Sequence, residues 1–174
     1  MPGTPDRRKS LSRGAKELRA SFLLRDGRIS LASCFDTHLG LRLRAEEAHR
    51  CVRRVFAGSF FGWSPETMEL RCAPETSVDL INGKLSDLAV ALARIAWRPL
   101  TPQLVAAALG ISGQERARWT KDGRLPHSDQ VHDRRGGGRL PIPTYTVALI
   151  EDLAVHPETL AAWRAQDAAR GGQT

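Results

Sequence analysis

The stretch LTPQLVAAALGISGQERARWTKDGRLP, residues 100–126, carries the main fold prediction for this chain. Thr101-Pro102 starts a helical pattern, because a hydroxyl residue followed by proline is typical of a first helical turn. The pattern stops at Gly110, which can take the positive φ that a helix-ending turn requires. Ser112 can then cap a second helix, and Trp119 is an apolar anchor near the far end of that helix. The stretch therefore predicts two short helices joined by a tight turn.

The same stretch resembles a known DNA-binding motif, the helix-turn-helix of MerR-like and excisionase-like proteins. In that family the second helix ends in a tryptophan–glycine–proline corner that leads to a wing. The residues that carry the resemblance are Ala106, Gly110, Ile111, Ser112, Trp119, Gly123, Leu125 and Pro126. The family usually has Val or Ile six residues after the turn glycine, whereas this chain has Arg116 there. Either the second helix is rotated slightly, or Arg116 lays its aliphatic stem over the edge of the core with its head in solvent.

The resemblance implies that the second helix enters the major groove of DNA, with its N-terminal end near the base edges. A glutamine can pair in two places with adenine and an arginine with guanine, each contact giving about 1–3 kcal/mol of discrimination. The residues expected at bases are Ser112, Gln114, Ala117 and Arg118. The residues expected at phosphates are Arg116, Lys121 and Arg124.

The basic, glycine-rich sequence RRGGGR follows this stretch and has two interpretations. Its arginines can enter a minor groove as a wing, or the segment can be a plain flexible loop. The residues concerned are Arg134, Arg135 and Arg139.

The overall charge fits a polyanionic partner. The chain has 174 residues with 26 Lys and Arg against 19 Asp and Glu, a formal net charge of +7. Such a balance suits nucleic acid or an anionic membrane surface. No apolar run approaches the roughly 20 residues of a membrane span, and the N-terminus lacks the apolar segment of a secretory signal. Three cysteines without a C-x-x-C pair suit a reduced compartment, so we expect a cytoplasmic, nucleoid-associated protein.

The rest of the chain is predicted to be mainly helical. Residues 45–57 and the longer pattern that Pro99 ends both place apolar residues at helical spacing. Asn82-Gly83 is a point where the longer helix can break, and its C-terminal part, from Lys84 to Trp97, suits either a core or a dimer seam. Asp26-Gly27, between two apolar-rich runs, indicates a small β-hairpin after the start of a helix. The alternative is a helix from Arg13 to Leu24 that ends near Gly27. A turn-rich connector is predicted for the segment SFFGWSPETMELRCAPETS.

These elements predict four segments along the chain. They are a flexible basic arm over 1–12, an α/β region over 13–76, a core helix with the two-helix motif and wing over 77–142, and C-terminal helices over 143–174, the first of these beginning near Pro143. The expected fold class is mainly α, with a winged or MerR-like helix-turn-helix, additional helices and a small N-terminal hairpin.

The sequence predicts a sequence-specific DNA-binding protein, a bacterial transcription regulator, and no enzyme. It contains no phosphate-binding loop, nucleophile elbow or H-E-x-x-H pattern. The cysteine and histidine spacings between Cys34 and Cys51 do not fit a zinc site, so no metal and no cofactor are expected.

Two alternatives stay open. One is an excisionase-like, architectural factor of a phage or integrative element, which bends DNA. The other is a protein-interaction adaptor with a basic face. The expected partner is double-stranded DNA, and further candidates are a second copy of the chain, RNA polymerase and a recombinase.

Overall fold

The computed structural model describes residues 7–25, 27–58, 61–133 and 140–171. The chain divides into two compact units, residues 1–98 and residues 99–174. This boundary differs from the predicted region over 77–142, because the long helix that ends before Pro99 packs its apolar face inside the first unit.

The first unit combines helices with a four-stranded antiparallel sheet. Its described helices are α1 (Arg7–Ala20), α2 (Ala32–Thr37), α3 (Leu39–Arg42), α4 (Ala45–Val55) and α5 (Val78–Ala96). Its described strands are β1 (Leu23–Arg25), β2 (Arg28–Ser30), β3 (Phe61–Ser64) and β4 (Glu69–Cys72), in the spatial order β1-β2-β4-β3.

The sheet contains one predicted hairpin and one that the sequence did not predict. Arg25 pairs with Arg28 across the predicted turn, where Gly27 has a φ of 71°. The predicted connector instead forms the β3–β4 hairpin, whose Leu70 lies opposite Ile29 of β2. Both of these side chains are fully buried. The hairpin is therefore stabilised by pairing with a strand distant in sequence and by burial in the core.

Helix α1 begins at Arg7, inside the segment predicted as a flexible arm. The arm prediction is therefore wrong for residues 7–12, and residues 1–6 lie outside the described residues. The helix forms a side of the first core, since Ala15 and Leu18 are buried there.

Helix α5 is continuous through Asn82-Gly83, where the sequence suggested a break. The Ser77 side chain caps it by accepting a hydrogen bond from the backbone N–H of Leu80 at 3.3 Å. Its apolar stripe belongs to the core of the first unit and is therefore not an open dimer seam. The buried stripe residues are Leu85, Leu88, Leu92 and Ile95.

A buried arginine closes the C-terminal end of α5. Arg44 is 8% exposed and donates hydrogen bonds to the carbonyl oxygens of Ile95, at 3.2 Å, and Arg98, at 3.0 Å. The last carbonyls of a helix carry partial negative charge and favour such a cation. Arg98 also donates to the Glu47 carboxylate on α4 at 3.1 Å. These contacts hold the C-terminal end of α5 against Arg44 and α4.

The second unit contains two helix pairs and a β-hairpin. Its described elements are α6 (Pro102–Leu109), α7 (Gly113–Lys121), β5 (Asp129–Asp133), β6 (Leu140–Thr144), α8 (Val147–Val155) and α9 (Pro157–Gly171). The strand β6 and a bridge between Leu100 and Tyr145 occupy residues where the sequence predicted the start of a helix near Pro143. Its core includes the fully buried Val105, Trp119, Leu125, Tyr145 and Ile150. Within the described ranges, no helix of either unit combines the length and apolar character of a membrane span.

Candidate nucleic-acid interface

The turn between α6 and α7 has the backbone geometry that glycine favours. Gly110 lies in the left-handed region, with φ 60° and ψ 39°. The N–H of Ile111 then donates to the carbonyl oxygen of Ala106 at 3.1 Å, and the Ile111 side chain is buried. The chain therefore leaves α6 abruptly and starts α7 after only three intervening residues, as the local sequence predicts.

A capping box starts α7 and joins it to α9. Ser112 Oγ accepts from the backbone N–H of Glu115 at 3.1 Å, and the Glu115 carboxylate accepts from the N–H of Ser112 at 2.7 Å. Arg164 of α9 donates to the other Glu115 oxygen at 2.7 Å and to the carbonyl of Gly110 at 3.3 Å. The hydrogen bond from Arg164, followed by the bond from Ser112, lowers the pKa of Glu115 to about 2.

One face of α7 is open to solvent. The exposed residues on this face follow the i, i+3, i+4, i+7 spacing of a helix surface and are Gln114, Ala117, Arg118 and Lys121. Ser112 and Gly113 are exposed at the N-terminal end, whereas the Trp119 side chain is fully buried. All four residues assigned to base contacts are thus exposed, as base contact requires, and the contacts themselves stay a prediction.

A carboxylate on α9 organises the C-terminal part of α7. Asp167 accepts from the indole N–H of Trp119 at 2.8 Å and from Arg124 at 2.6 Å, and it pairs with Arg118 Nε at 3.1 Å. The hydrogen bond from Arg124, then that from Trp119, holds the pKa of Asp167 below its ordinary value. Arg118 remains 53% exposed, so this ion pair restrains the side chain and leaves much of it accessible. No sequence motif marks Asp167, whose only local signal is its position four residues after Trp163.

Arg116 binds within the second unit. Its Nη1 donates to the hydroxyl oxygen of Tyr145 at 3.1 Å, and that hydroxyl also lies 2.8 Å from Thr120 Oγ1. Because Tyr145 is fully buried, its hydroxyl needs polar partners from the protein. This contact accounts for a charged residue where the resembling family has Val or Ile. The head of Arg116 is therefore not simply in solvent, and the phosphate contact expected of this residue stays a prediction.

Arg124 is also engaged by the protein. Its side chain is 14% exposed, and its guanidinium donates to the carbonyl of Trp163 at 3.1 Å and to the carboxylates of Asp122 and Asp167. The phosphate contacts expected of Arg116 and Arg124 stay predictions, and both guanidiniums already donate to groups of the protein. Lys121 is the remaining residue of that set on an exposed position.

An antiparallel hairpin lies where the wing is predicted. Its register runs from Asp129 opposite Thr144 to Asp133 opposite Leu140. The arginines assigned to the wing lie outside the described residues, between these two strands in sequence; they are Arg134, Arg135 and Arg139.

Among the residues that the structure describes, no group of three or more His, Cys, Asp and Glu side chains is placed to hold a metal ion. Comparison of the chain with protein-family models, with curated proteins and with solved structures finds no match. The functional assignment therefore rests on the geometry of the chain itself.

Proposed function

We propose that residues 99–174 bind double-stranded DNA through a helix-turn-helix, with α7 in the major groove. The observation that carries this proposal is the open polar face of α7, opposite the fully buried Trp119. An α-helix fits the width of the major groove, and a helix of this kind reads bases near its N-terminal end. The capping box supports the proposal, because it fixes the start of α7 relative to the turn.

Gln114 and Arg118 are the proposed readers of sequence, for adenine and guanine respectively. The ion pair with Asp167 supports the role of Arg118, since a restrained side chain loses less conformational entropy on binding. Ala117 is exposed about one turn after Gln114, where a small side chain permits close approach of the helix to the base edges.

Charge is distributed unevenly between the two units. Residues 99–174 hold nine Lys and Arg against eight Asp and Glu, so most of the net charge of +7 lies in residues 1–98. Binding by the second unit must then depend on a few well-placed cations. The proposed phosphate contacts are Lys121 on α7 and, from the hairpin connection, Arg134, Arg135 and Arg139. Four such contacts predict a slope of about −3.6 in a plot of log affinity against log salt concentration.

Selection of bound duplexes from a random DNA pool, followed by fluorescence anisotropy on the selected site, tests the proposal with the full chain. Arg118→Ala should relax base preference at one position of the site, and Gln114→Ala at another, each by about 1–3 kcal/mol. Joint replacement of the three arginines near the hairpin by Ala should weaken binding to all sequences and reduce the slope to about −0.9.

The sharpest variant is Ala117→Glu, which places a bulky anion on the exposed α7 face. We expect it to abolish DNA binding while the protein stays folded, because Ala117 is exposed. Ala148→Glu on α8 is a matched control, since Ala148 is also an exposed helical alanine and should leave binding unchanged. DNA binding that survives Ala117→Glu would remove α7 from the interface.

The same experiments distinguish the two alternatives. An architectural factor should show a large mobility change when its site is moved along a DNA fragment, because the bend then moves relative to the ends. An adaptor should show no selected sequence and no steep salt slope, since it makes few phosphate contacts.

A further inference from the structure

A groove of about 740 Å³ lies between α1 and α5 in the first unit. Small side chains on both helices create it, because alanine and serine leave the space that larger residues would fill. Its lining residues are Leu11, Ser12, Ala15, Ala20, Ser86 and Val90, with Ala89 beneath and three cations along its length.

The two helices run antiparallel along this groove. At one end Gly14 lies against the Trp97 ring, where an added Cβ would come within 2.9 Å of it. At the other end Arg19 donates to the side-chain oxygen of Asn82 at 3.0 Å. The lining residues of α5 extend from Ser86 to Arg94, which corresponds to about 12 Å of helix, or two turns.

The groove combines an apolar surface with cations of a single sign. Val90 is a large apolar residue that is 43% exposed, and it lies on the side of α5 that lines the groove. Lys16 and Arg19 line the groove from α1 and Arg94 lines it from α5. No acidic residue is among its described lining residues. Because α1 and α5 are antiparallel, Arg19 and Arg94 lie toward opposite ends.

We propose that this groove binds an acidic amphipathic helix of a partner protein. Two helical turns admit apolar side chains at i, i+3 or i+4, and i+7, which is the usual pattern of helix-in-groove recognition. Acidic residues that flank this stripe would then meet cations at both ends of the groove.

Two other occupants fit less well. A small anionic amphiphile has one head group and meets only one of the separated cations, and a groove open along its length does not enclose most of such a ligand. A second copy of the chain, docked by the same groove, would bring three cations against three cations. This inference concerns the first unit and does not depend on DNA binding by the second.

A display library of 16-residue amphipathic helices tests the proposal on the full chain, in buffer without DNA. Its members share a Leu and Ala stripe, and their flanking positions vary among Glu, Lys, Gln and Ser. We expect enriched peptides to carry flanking Glu and to lose at least tenfold in affinity with Val90→Arg, a change at an exposed position. Lys16→Glu with Arg94→Glu should cause a similar loss and should instead favour Lys-flanked peptides.

Arg53→Glu with Arg54→Glu on α4 is the charge-matched control, because both residues are exposed and neither lines the groove. It should bind the enriched peptides as the unmodified chain does. The proposal fails if no peptide is enriched, if enriched peptides show no charge preference, or if Val90→Arg leaves their binding intact. Displacement of the peptides by micromolar dodecanoate would likewise overturn it, in favour of a small amphiphile.

Discussion

Two glycines three residues apart provide a direct test of the turn between α6 and α7. Gly110 has a left-handed backbone with φ 60°, whereas Gly113 is the first residue of α7. A Cβ added at either position meets no atom within 4 Å. Replacement by alanine therefore causes no steric clash at either position, and backbone conformation alone distinguishes the two changes.

The expected effects have opposite signs. Gly113→Ala should increase the free energy of unfolding by about 0.5–1 kcal/mol, because alanine restricts the unfolded chain and favours the helix. Gly110→Ala restricts the unfolded chain equally, but it places alanine in the left-handed region at a cost of about 1–2 kcal/mol. We expect a net loss of about 0.5–1 kcal/mol for Gly110→Ala. The two variants should then differ by about 1–2 kcal/mol, the cost of the left-handed conformation itself.

Urea unfolding of the full chain, followed by the amide NMR signals of α6 and α7, measures this difference within the second unit. The indole N–H of Trp119 is a second reporter, because it is bonded to Asp167 only in the folded state. If Gly110→Ala stabilises the protein as much as Gly113→Ala does, residue 110 is not left-handed. The turn between α6 and α7 would then differ from the one described, and the geometry on which DNA binding is proposed would be absent.

Three further changes test other contacts. Gly40→Ala should destabilise the first unit by about 3 kcal/mol in thermal unfolding, because the new Cβ would clash with the backbone oxygen of Ala96 on α5. Gly83→Ala, in open space on that helix, should be neutral or stabilising. Because the pKa of Glu115 is lowered, its carboxylate contributes stability that is present above pH 4.5 and is lost as the pH falls toward 2. In urea titrations of the second unit, Glu115→Gln should remove this acid dependence and lower the free energy of unfolding by about 1 kcal/mol at pH 7. Burial lowers the pKa of His49 below its ordinary 6.5, so the first unit should lose stability as the pH falls below 6.5, by at most about 1.4 kcal/mol per pH unit. If His49→Gln unfolds with the same pH profile as the unmodified chain, His49 is not the source of this loss.

Short-range signals predicted some of the sheet and helix boundaries and missed others. The Asp26-Gly27 hairpin was predicted correctly because its turn and both strands are adjacent in sequence. The β3–β4 hairpin was missed, since its strands are short and β4 pairs with a strand some forty residues earlier. Helix α5 was placed in the wrong unit for the same reason: its apolar stripe shows that it is buried, and only the packed chain shows which helices cover it.

The sequence by itself determined the two-helix segment at residues 100–121. Its proline start, left-handed glycine and serine cap each act within about four residues, so they can be recognised from the local sequence alone. The tertiary structure decided which cations of that segment, and of the residues just after it, remain accessible. Arg116 and Arg124 bind groups 29 to 43 residues away in sequence, whereas Arg118 and Lys121 stay exposed. The sequence pattern does not distinguish an arginine that the protein binds from one that stays accessible. That difference depends on which carboxylates and hydroxyls folding brings within hydrogen-bond distance of the guanidinium.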